Sequence, residues 1–100
     1  MSEKNIFMDY NQFNYSLDMG HPPDEYSEPL KAMWWERKGE WEKAHSIVQA
    51  ESTETAAWVH AYLHRKEGDD SNASFWYKSA KKDFPDMDLK EESIEIVKNL

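Results

Sequence analysis

Three histidines and an arginine offer the clearest chemistry in this chain. His60 and His64 stand four residues apart, so a helix would set them on one face, with Arg65 beside them in sequence. If the fold brings His45 close, three imidazoles could form a metal site of the zinc-binding kind. The His-Glu-x-x-His pattern of zinc hydrolases is absent, because Ala61 stands where its Glu would be. Histidines on an inward helical stripe are more often held by backbone carbonyls or tyrosine hydroxyls. A satisfied, partly buried pair is therefore the first reading, with metal, acid–base or ligand work as the alternative.

Aromatic residues make a second set. Trp58, Tyr62 and Arg65 are spaced by four and three and share a helical face. Trp and Tyr bring rigid contact area, and Arg grips a carboxylate bidentately, so this face reads either as a binding surface or as packing against the rest of the chain. Trp34, Trp35 and Trp41 surround an earlier turn. Adjacent Trp34 and Trp35 point about 100° apart on a helix, so both are covered only if something lies on each side, either an N-terminal arm or a second copy of the chain.

The elements that must position these side chains are helical. Ser27-Glu28-Pro29 carries a capping Ser, a first-turn acid and a Pro where no N–H is missed, and it opens a helix that Gly39 stops. A second helix is expected over about 40–50. Ser52 or Thr53 caps a third, roughly 54–67, ended by Gly68. Asp69 or Asp70 caps a fourth, roughly 71–83, closed by Pro85. Asp88 to Glu91 looks like a capping box and opens a fifth helix carrying Ile94, Val97 and Leu100. Residues 1–26 are rich in Asn, a poor helix former. They read as an extended arm that lays Ile6, Tyr10, Phe13 and Leu17 on the helices, with Gly20-His21-Pro22-Pro23 as linker, although the spacing of those four apolar residues also suits a helix. The expected organisation is an arm and linker, 1–26, followed by one helical domain, 27–100.

Within that domain the pattern repeats. Gly39 and Gly68 lie 29 residues apart, as do Ala44 and Ala73, Ala32 and Ala61, and Val48 and Tyr77. Each unit reads helix, glycine turn, helix. The second unit resembles a tetratricopeptide repeat at Ala61, Gly68-Asp69, Ala73, Tyr77, Ala80 and Pro85, and its second helix resembles that of Sel1-type repeats. The first unit matches at Gly39 and Ala44, with Glu51 where a second Ala belongs, and the period is shorter than the family's. Residues 30–80 also resemble a group of small bacterial proteins, through Trp34-Trp35, Trp41-Glu42-Lys43-Ala44-His45 and Trp58-Val59-His60-Ala61-Tyr62-Leu63-His64-Arg65-Lys66-Glu67-Gly68-Asp69. The resemblance implies two tetratricopeptide-like hairpins, and with the C-terminal helix and N-terminal extended arm read above the expected fold is all-α. It further implies a bacterial helical-repeat protein whose concave face would carry Trp58, Tyr62 and Arg65.

Composition narrows the function. Aliphatic residues are few, and five Trp, five Tyr and abundant Ala must build the core. A net charge of −8 disfavours nucleic-acid backbones and anionic membranes. Without Cys there is neither disulfide nor thiolate chemistry. No apolar run reaches a membrane span, and the N-terminus lacks the apolar segment of a signal peptide, so a cytoplasmic setting is expected. Three glycines leave no phosphate loop, no elbow motif ties Ser, His and Asp together, and no cofactor is indicated. The expectation is a non-enzymatic interaction module that binds a protein segment or itself. The alternative is a small-molecule or metal-binding protein centred on His45, His60 and His64. Candidate binding residues are Trp35, His45, Trp58, His60, Tyr62, His64 and Arg65.

Overall fold

The computed structural model describes residues 10–100, and every structural statement below concerns these. They form six α-helices and no strand: α1 (Tyr10–Ser16), α2 (Glu28–Arg37), α3 (Trp41–Gln49), α4 (Glu54–Lys66), α5 (Asp70–Ser79) and α6 (Leu89–Asn99). Short polar side chains start four of them. The side-chain oxygens of Ser27, Thr53, Asp69 and Asp88 accept from the N–H groups of Leu30, Ala56, Asn72 and Glu91. Each cap satisfies a donor that the helix itself cannot, worth about 1 kcal/mol. None of the described helices is long and apolar enough to cross a membrane.

Two glycines make the reversals. Gly39 and Gly68 sit at φ +84° and +89°, where a side chain would be strained. They fold α2 onto α3 and α4 onto α5. Ala32, Ala44, Ala61 and Ala73 are completely buried at these contacts, so the backbones approach closely. Helix α4 is central and also packs on α2, α3 and α6. Its nine residues Ala56 to His64 are all buried. A helix covered on every side needs no polar stripe, which explains the run of apolar and aromatic residues there.

Several expectations change. The extended arm is instead helical over Tyr10–Ser16, while Ile6 lies outside the described residues. Burying Phe13 completely, stacked against Tyr26, outweighs the weak helix propensity of Asn11 and Asn14. Helix α1 also covers Trp34, whose indole N–H donates to the Ser16 backbone oxygen and Oγ, both at 3.2 Å. Helix α5 ends at Ser79, short of residue 83, because Lys81 turns to φ +61° and the Lys82 N–H closes the end on the Tyr77 carbonyl. In α6 the fully buried apolar pair is Ile96 and Val97, while Ile94 is half-buried. The face bearing Trp58, Tyr62 and Arg65 is not an open concave surface, since α6 lies against it.

Candidate functional site

Two polar clusters occupy opposite sides of α4, and the sequence candidates divide between them. On the α6 side, Glu92 is 1% exposed and its carboxylate is fully engaged. Oε2 accepts from the Trp58 indole at 3.1 Å and the Tyr77 hydroxyl at 2.6 Å, and Oε1 accepts from Arg65 at 2.8 Å. Arg65 also donates to the Met87 carbonyl at 2.6 Å. Burial and the Glu92 carboxylate raise the Tyr77 pKa. Tyr62 is buried, and burial, with Glu36 adding to it, pushes its hydroxyl up to about 12. Trp58, Tyr62 and Arg65 thus join α4 to α5 and α6. Trp35 lies apart, half-buried, edge-on to Trp34 and under the Lys43 ammonium at 4.0 Å.

On the other side, α3 contributes His45 and α4 contributes His60 and His64. One nitrogen from each lies within 4.8 Å of the other two. His45 Nε2 and His60 Nε2 are 3.0 Å apart. The ring centroids are separated by 4.7, 5.0 and 5.1 Å. The sequence pattern places His60 and His64 one turn apart, and the packing of α3 on α4 supplies His45.

Indoles wall the cluster. Trp41, one turn before His45, stacks on it at 4.9 Å and is anchored by its N–H on the Leu63 carbonyl at 2.9 Å. Trp76 of α5 stacks on His60 at 3.9 Å. Glu67, three residues after His64, takes the His64 Nδ1 proton at 2.6 Å and leaves Nε2 as that ring's lone-pair nitrogen. Trp76 and Glu67 are therefore part of the site although sequence reading had not singled them out. The i to i+3 spacing from His64 was the available signal for Glu67. Trp76 carried none, since its partner lies on another helix.

Electrostatics favour the neutral form of His45 and His60. Burial lowers the His45 pKa and the neighbouring His64 lowers it further, against the pull of Glu42 and Glu67. Burial brings His60 down to about 4, with repulsion from His45 and His64 added. A neutral imidazole keeps one ring nitrogen unprotonated, which is the form that ligates a metal. The expected backbone or tyrosine partners are not what hold these rings: their partners are one another and Glu67. One requirement goes unmet, because His60 Nδ1 is buried with no partner. If His60 donates from Nε2 to His45, Nδ1 is a bare acceptor; if it accepts there, Nδ1–H is a bare donor. Either arrangement costs about 1–3 kcal/mol.

No family model, curated protein or solved structure matches the chain.

Proposed function

We propose that this chain binds a divalent first-row transition ion, zinc in the first instance, through His45, His60 and His64. The supporting observation is the convergence of three imidazoles from two helices within 4.8 Å. Tetrahedral ligation at about 2.0–2.1 Å sets nitrogens about 3.3 Å apart. The His45–His60 pair, at 3.0 Å, needs to open by only a few tenths of an ångström. The Glu67 carboxylate on His64 is the kind of outer partner that fixes a ligating imidazole in one tautomer. Nitrogen donors without thiolate favour zinc, copper, nickel or cobalt over magnesium or calcium.

A role in binding protein partners draws less support from these contacts. Trp58, Tyr62 and Arg65 are engaged within the chain. The large exposed apolar side chains, Tyr15, Met19, Phe75 and Phe84, come from separate segments. The test is calorimetric titration of the metal-free chain with zinc near pH 7.5. One ion per chain and a raised melting temperature are expected, with both lost in His45→Ala. Absence of heat and of any thermal shift in the native chain contradicts the reading.

A further inference from the structure

Building on the metal-binding reading, we infer that the ion keeps one coordination position open and takes a small anionic oxygen or nitrogen donor there. Three features lead to this. The first is donor supply. Among the described residues, no fourth histidine or carboxylate meets all three imidazoles. Glu67 and Asp69 form a second group, with His64. Glu67 is bound to the Nδ1 edge of that ring, across from Nε2, and Asp69 Oδ1 accepts the Asn72 N–H at the start of α5. Three protein ligands with a fourth exchangeable position is the arrangement of reactive zinc sites, whereas structural sites close with four.

The second feature is charge. Imidazole ligates in its uncharged form and brings no negative charge to offset the ion's double positive charge, so the open position favours an anion, or a water that ionises to hydroxide near neutral pH. The third is shape. Trp41 and Trp76 stack flat on His45 and His60 and close two flanks. Of the three rings only His45 is half-exposed, while His60 and His64 are buried. Approach is therefore past His45, the ring of the three that solvent reaches, and the two indole walls favour a small donor such as a carboxylate, azide or hydroxide.

Cobalt is the suitable reporter, because its visible bands respond to coordination number and ligand. The full chain is loaded with Co²⁺, freed of excess metal by gel filtration and titrated with sodium azide. Intense four-coordinate bands are expected, and azide should shift them saturably to a new spectrum with an isosbestic point. Retained cobalt whose bands ignore azide at every concentration would mean a closed site: the open position is then wrong while metal binding stands. If no cobalt is retained and no bands appear, the metal-binding reading fails and this inference with it.

Discussion

The two polar clusters flanking α4 are built from similar materials and end in opposite states. Around Glu92, both carboxylate oxygens, the Trp58 indole, the Tyr77 hydroxyl and the Arg65 guanidinium meet partners inside the chain. Around His60, two rings share one short contact and a buried nitrogen is left over. A saturated buried network joins helices and has nothing left to offer a ligand. An unsaturated one, with three ring nitrogens within 4.8 Å of one another, retains capacity for a ligand. The indole and the phenol expected on a binding face, Trp58 and Tyr62, belong to the packed side or border it. Two that carried no such expectation, Trp41 and Trp76, wall the histidines.

Substitutions separate the two clusters. The largest effect is expected from Glu92→Ala, which removes the acceptor shared by three donors and leaves Arg65 facing a buried gap. Loss of about 3–5 kcal/mol of folding stability is expected, read by chemical denaturation. An unchanged midpoint would show that the network adds no cohesion. His45→Ala should act mainly on metal binding. Removal of the ring costs the contact with His60 Nε2 and the stacking on Trp41, so the metal-free stability should fall by about 1–3 kcal/mol, less than in Glu92→Ala. Zinc affinity should fall at least about a hundredfold, with one of three ligands gone. Glu67→Gln is smaller still: the ligands remain but the His64 ring loses its carboxylate partner, and affinity should drop about 10–100-fold.

The subtlest effect is a pH dependence of the metal-free chain. The unfolded His60 takes up a proton near pH 6.5 and the folded one only near 4. Between these values the unfolded state binds more protons, so stability falls as the pH is lowered through that window. His45, also lowered, acts in the same direction. Urea midpoints at pH 7.5 and 5 check this, and His60→Gln should flatten the decline. A decline of equal steepness in that variant would assign the effect to other groups.

Local signals made much of this fold readable. Ser27, Thr53, Asp69 and Asp88 cap the helices as their spacing indicates, Gly39 and Gly68 reverse the chain, and Ala44 and Ala73 face inward. Each depends on neighbours within a few residues. What escaped reading depends on contacts across the chain. Helix α1 exists because Phe13 and Trp34 find each other's helices, a gain that Asn propensities do not register. The Trp58–Tyr62–Arg65 stripe has the residue types of an open binding face, and only the docking of α6 shows it closed. The early end of α5 rests on a left-handed Lys81, a position that nothing in its residue type announces. The histidines were legible as a pair one turn apart, and His45 as a possible third. The stacking indoles were not, because ring-on-ring contacts between separate helices leave no spacing rule in sequence.

Zinc-edge X-ray absorption on the loaded full chain addresses the His45–His60–His64 centre without perturbing it. Three imidazole nitrogens and one non-imidazole oxygen donor at about 2.0 Å are the predicted shell. A shell dominated by carboxylate oxygens, or one with fewer than two imidazoles, would contradict it.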